Sequence, residues 1–289
     1  MRLASREFVV AGFVLSGRIR ASAVEREPVM TAEKSTMAFG WRVYGLGVMA
    51  LGVVCLVWRS LVLGQTVPDG FPGRIAVVCA AGMLMLIAGA AMEWRRSAAW
   101  GAMGLTVYTL VMMVVLNGPV LPHNYRALGA YFGVAESLAI AAGGLIVYAA
   151  SARMEGALSL RLMRVARMTF GVCALFFGSA HFVYMNFTAP LVPKWLPPSQ
   201  VFWGYTTGVC FVAAGVAILT GVKARLAAIL LTGMLASFTF LVHVRILLAD
   251  HSGVFNWSEL ALNITLVGVA WVVADSLAAV PSWSDSNGR

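Results

Sequence analysis

Eight long apolar runs alternate with short polar stretches along this chain. They cover residues 41–63, 75–92, 98–116, 128–150, 165–187, 201–222, 226–248 and 257–280. A helix needs about 20 apolar residues to cross the hydrocarbon core of a bilayer, and each run is close to that length. None shows the period-two alternation of a barrel strand. In lipid, a backbone outside a closed barrel has to satisfy its polar groups within a helix. The pattern therefore predicts an all-α integral membrane protein with eight transmembrane helices. Proline is absent from all eight runs and gathers in the connections, as Pro68, Pro72, Pro119, Pro122, Pro190, Pro193, Pro197 and Pro198.

Residues 1–40 precede the first run. The apolar stretch from Phe8 to Leu15 is too short to span. It has the length of a signal-peptide core, but Glu7 sits on its edge and no clear cleavage site follows. Residues 1–40 are read as an N-terminal tail, with Met30 or Met37 as alternative starts. Residues 281–289 are read as a C-terminal tail.

Composition agrees with the pattern. Of 289 residues, 60% are hydrophobic and 11% charged, with a mean hydropathy of +0.84. Soluble domains run near half apolar and about a quarter charged. A soluble enzyme, a disordered chain and a disulfide-stapled secreted module are excluded. The formal charge of +9 reads as a topology signal, and nucleic acid is not an expected partner. With a cytoplasmic N-terminus, 16 of the 21 Lys and Arg residues fall on the inner side and five on the outer side. The positive-inside rule then places both termini in the cytoplasm. The expected location is a bacterial-type inner (plasma) membrane, with the lipid bilayer as the first partner.

A shift of 126 residues aligns Gly45 with Gly171, Gly52 with Gly178, Gly82 with Gly208 and Gly89 with Gly215. The chain reads as two tandem four-helix bundles, 41–150 and 165–280, joined by a basic cytoplasmic linker at 151–164. Four is even, so the repeats are parallel and not inverted. The glycines are expected to let helices approach closely in lipid.

Ionisable groups inside spans are costly and are functional candidates by default. In the second unit they are His181, His243, Arg245 and Glu259, all placed toward the outer side. The proline-rich loop over them carries Lys194 and Trp195. At the 126-residue shift, Cys55 stands for His181 and Asn117 for His243, while Glu136 aligns near Glu259 across a small gap. The second unit is thus the expected active half. Two His and a Glu suit a quinone head group, which exchanges hydrogen bonds and protons with imidazole near neutral pH. A His pair on two helices also suits haem iron or another metal, although no local metal motif accompanies it. The plainest reading is that the histidines cap helix ends. Cys55, Cys79, Cys173 and Cys210 lie singly within spans, without a CxxC pair, and read as small core residues.

The second unit resembles the DoxX family of four-span membrane proteins. The resemblance rests on Phe170-Gly171, Gly178-Ser-Ala-His-Phe182, Leu191-Val-Pro-Lys-Trp-Leu-Pro197, Trp203-Gly-Tyr-Thr-Thr-Gly208, Ala213-Ala-Gly215, His243 and the stretch from Trp257 to Leu260. It covers roughly residues 166–280, and the first unit is similar to a diverged copy lacking both histidines. The family includes the small membrane subunit of a thiosulfate:quinone oxidoreductase, so the resemblance implies a subunit of a quinone-linked membrane redox system with partner subunits. On that reading His181 and His243 bond the head group and Glu259 orients one of them or relays protons. Trp195 walls the site, with Lys194 and Arg245 beside it. Haem and metal are not expected. The alternatives are a non-catalytic scaffold or accessory subunit of a larger complex, and a lipid or solute carrier.

Overall fold

A computed structural model describes residues 39–61, 67 and 70–278. The signal-peptide and start-site readings fall outside these residues, as do nearly all of the N-terminal tail and the whole C-terminal tail. The helices are α1 (Gly40–Trp58), α2 (Arg74–Met92), α3 (Ala98–Met112), α4 (Leu121–Asn124), α5 (Phe132–Ser151), α6 (Gly156–Val183), α7 (Met185–Thr188), α8 (Gln200–Thr220), α9 (Ala224–Phe238), α10 (Arg245–Ala249) and α11 (Val254–Ala278). There is no strand among the described residues. Seven helical segments are long and apolar enough to cross a membrane. The pair formed by α6 and the segment Met185–Leu191, bent by 86°, makes an eighth. This is the build of a multi-pass membrane protein.

Local chemistry sets the ends of these helices. Pro197 and Pro198 stop the preceding chain, and Ser199 then caps α8 by accepting a hydrogen bond from the Phe202 N–H at 3.1 Å. At the other end of α8, Gly221 takes a left-handed φ of 79° and turns the chain into α9. The span expected at 165–187 is shifted. Helix α6 starts at Gly156 and ends at Val183, so most of the expected linker is helical. No Pro or Gly lies between Gly156 and Gly171 to interrupt it.

Matched glycines bring α1 onto α2 and α6 onto α8. A Cβ on Gly52 would stand 2.7 Å from the Gly82 carbonyl oxygen, and one on Gly178 would stand 2.8 Å from that of Gly208. Gly89 approaches the Gly45 carbonyl, and Gly215 that of Gly171, in the same way. Lipid tails are as apolar as helix side chains, so such close backbone approach is what drives helix association there.

Each long helix packs on its neighbours in the chain, and α11 closes back along α1. Helix α5 lies against α6 and also touches α11. Tyr44 Oη on α1 donates to the Ile140 carbonyl on α5 at 2.7 Å.

Helices α3 and α9 begin 126 residues apart and change form 126 residues apart. Helix α3 passes into a π-helical segment at Met113–Asn117, and α9 into one at Thr239–Val244. A π segment bonds i to i+5 and re-aims the side chains that follow. Nothing in the hydrophobic pattern of either run marks the change.

Candidate functional site

The last turns of α1, α6 and α10 and the starts of α5 and α11 gather at one end of the molecule, here termed the loop-rich end. Next to it lies a cavity of about 500 Å³. His181, near the end of α6, and His243, in the π segment after α9, both line it. Glu259, in the second turn of α11, lines it as well, and Glu136, in the second turn of α5, joins them. The remaining wall is mostly aromatic and aliphatic, with Phe132, Phe177, Phe211 and Phe238 prominent.

The sharp turn at Tyr184 builds the roof. It lays α7 and the short helical turn Ala189–Leu191 across the end of α6, and Tyr184, Phe187 and Leu191 face the cavity. Tyr184 Oη accepts a hydrogen bond from the Gly129 N–H at 2.8 Å, which ties the roof to the start of α5. Because α6 ends at Val183, His181 sits in the last turn of its helix, just beneath this roof.

The polar groups are not equivalent. His181 Nδ1 lies 2.8 Å from the Phe177 carbonyl oxygen of its own helix. A carbonyl only accepts, so Nδ1 carries the proton and Nε2 is left as an acceptor for a ligand. The ring packs against Phe211 with centroids 5.2 Å apart. His243, Glu136 and Glu259 make no hydrogen bond among the described residues.

Asn263 holds the frame around His243. Its Nδ2 donates to the Leu235 carbonyl at 3.1 Å and to Thr239 Oγ1 at 2.8 Å, pinning α11 to the point where α9 becomes π-helical.

The expected site residues thus fall into two groups. His181, His243 and Glu259 share one cavity. Arg245, Lys194 and Trp195 are not among its lining residues. Arg245 donates from Nη2 to the Leu191 carbonyl at 2.9 Å and holds the roof down from outside. Trp195 is 68% exposed. Sequence reading noted Glu136 but left it with the first unit. Its signal was the same as for Glu259, a carboxyl inside an apolar run. What was missing was the packing of α5 against the second half. Tyr184 and Asn263 gave no signal beyond being polar or aromatic.

A family model described as a domain of unknown function, DUF8561, matches residues 170–274. The match takes in His181, His243, Glu259 and Asn263, and leaves out Glu136. No curated protein and no solved structure matches the chain.

Proposed function

We propose that this protein is a membrane subunit of a quinone-linked redox system, and that the cavity at the loop-rich end receives the head group. The observation carrying this reading is the convergence of two imidazoles and two carboxyls on one largely apolar, aromatic-walled cavity. Small-molecule sites have this build, with few polar groups set in an apolar wall. Carboxyls without partners in a membrane span are costly, which makes them functional by default.

The fixed tautomer of His181 gives the reading a direction. Its Nε2 accepts, so it suits the O–H of a quinol. Oxidation of a quinol to a quinone releases two protons and two electrons. Nε2 is placed to take one proton. His243, Glu136 or Glu259 is placed to take the other and pass it toward the loop-rich end. The two electrons pass to an oxidised metal or flavin centre of a partner subunit.

In this reading the loop-rich end faces outward across an inner membrane and both termini are cytoplasmic. The excess of bases at the opposite end supports that orientation. The two halves are copies of one DoxX-like four-helix unit joined side by side, with α5 seated between α3 and α6 and α11 between α9 and α1. The matched glycines and the matched π segments support the duplication. The seat of α5 against α6 carries Glu136 into the cavity of the second half.

The test is extraction of the full chain from native membrane, with mass spectrometry for bound quinone and assay of quinol oxidation. Bound quinone and a loss of quinol oxidation in His181→Ala are expected. No quinone, no quinol binding and no effect of His181→Ala would sink the reading.

A further inference from the structure

A second cavity, of about 730 Å³, runs as a groove between α8 and α9. Along α8 it extends from Trp203 to Ala217, about 21 Å at 1.5 Å per residue. That is most of the ~30 Å hydrocarbon core. Its lining is uncharged except for Lys223, at the end away from the roof. Small residues of α8, among them Cys210, Ala213 and Ala217, keep it open, and Cys210 and Ala213 are exposed at its mouth. It adjoins the polar cavity. Val192, Thr207, Phe238 and Val242 line both. The polar groups therefore lie on one side of a wall one side chain thick, and a largely apolar groove lies on the other.

We infer that the groove holds the long alkyl or isoprenoid chain of the same molecule whose polar head occupies the cavity, so that the ligand is an amphiphile threaded past Thr207 and Phe238. This rests on the head-group reading above. The four residues common to the two linings, and not the apolar character of the groove, identify the occupant. Bulk lipid chains would fill any lipid-facing groove without reference to the cavity. A tail that shares a molecule with the head is coupled to it. In lipid the coupling gains little from the hydrophobic effect, because the tail is equally apolar surroundings either way. It arises from fit, so filling the groove with protein should displace the tail.

The probe is a benzoquinol carrying a decyl chain with a photoreactive diazirine at its end. It is offered to the full chain in phosphatidylcholine nanodiscs, and a benzoquinol without a chain serves as competitor. Peptide mass spectrometry should find the label on α8 and α9 at groove residues such as Ala213, Ala217 and Leu230. Ala217→Phe fills the groove and should lower the labelling about tenfold, while binding of the chainless benzoquinol stays unchanged. Excess chainless benzoquinol, or His243→Ala, should release the label from the groove as well. Label spread evenly over lipid-facing helices, with the chainless head still bound, would overturn the threading and leave the head-group reading standing. Groove label indifferent to His243→Ala and to the competitor would also overturn it, showing ordinary lipid chains in the groove. Failure of both probes to bind would overturn the head-group reading and this inference with it.

Discussion

Asn117 and His243 hold the same place in the two halves, each within a π-helical segment that follows an apolar helix beginning 126 residues from its counterpart. Cys55 and His181 form a second such pair. In the first half both residues are buried. The Cys55 thiol donates to the Ser60 carbonyl at 3.1 Å, and Asn117 Nδ2 is enclosed without a hydrogen-bond partner among the described residues. In the second half the same two positions are imidazoles facing a cavity. The backbone irregularity is duplicated and the chemistry is not. The π segment is therefore a framework that either half tolerates, and the halves differ in the side chain placed on it.

The comparison breaks most directly if the second half is made to look like the first. His243→Asn keeps the π segment and removes the imidazole. Quinol oxidation should fall about 100-fold or more, the scale expected when a positioned acid–base group is lost. Circular dichroism and thermal unfolding of the variant should be near those of the parent. Retained turnover in His243→Asn would show that the imidazole is packing and nothing more. Asn117→His should confer no activity on the first half.

The shared framework predicts the opposite behaviour for the glycines. Gly52→Leu and Gly178→Leu each force a side chain against a backbone carbonyl on the facing helix. Each should cost on the order of 1–3 kcal/mol, read by reversible unfolding in mixed micelles. Similar losses in the two halves sharpen the comparison. A large loss at Gly178 with none at Gly52 would mean that the halves do not share a framework. A smaller effect is expected for Asn263→Leu, which removes the clamp on Leu235 and Thr239. It should cost about 1 kcal/mol in stability. It should also raise the KM for quinol several-fold while kcat changes little, because the residue holds the backbone that carries His243.

Sequence pattern carried the membrane-spanning helices well, because lipid imposes one solution on long apolar runs. It also carried the matched glycines, because close backbone approach tolerates almost no other residue. Three things were not legible, each for a physical reason. The π segments leave no trace in hydropathy, since they change hydrogen-bond register and not composition. The bend at Tyr184 falls inside an apolar run, so the fifth span was drawn past its end. The packing of α5 on the second half is a property of tertiary contacts, and no local pattern encodes which neighbours a fourth helix packs on. For that reason His181, His243 and Glu259 could be grouped by depth, while Glu136 was kept apart. Trp195 and Lys194 show the converse failure. Nearness in sequence to a site loop says nothing about which face of the loop a side chain takes.

The smallest effect separates the loops that lead into α5 and α11. Asp250 stands in the turn before α11, and Asn124 stands at the matching position before α5. Asp250 Oδ1 accepts from Ser252 Oγ at 2.6 Å and from the Ser252 N–H at 3.0 Å. The Ser252 hydroxyl, and after it the Ser252 backbone N–H, favour the charged form and hold this carboxyl below its usual range. A group with a depressed folded pKa adds stability above its unfolded value, near 3.9 for Asp, and that contribution fades as pH falls through the folded value. Acidification below about pH 4 should therefore loosen the turn at 250–256. The loop around Asn124, whose Nδ2 donates to the Val120 carbonyl at 3.2 Å, has no carboxylate to titrate and should not respond in the same step. Hydrogen exchange across the two loops, measured as a function of pH in nanodiscs, reads the difference directly. Asp250→Asn should abolish the acid response at 250–256 while leaving exchange at neutral pH faster than in the parent. Equal acid sensitivity of both loops would show instead that the whole loop-rich end loosens together, and that the Ser252 contacts do not set it.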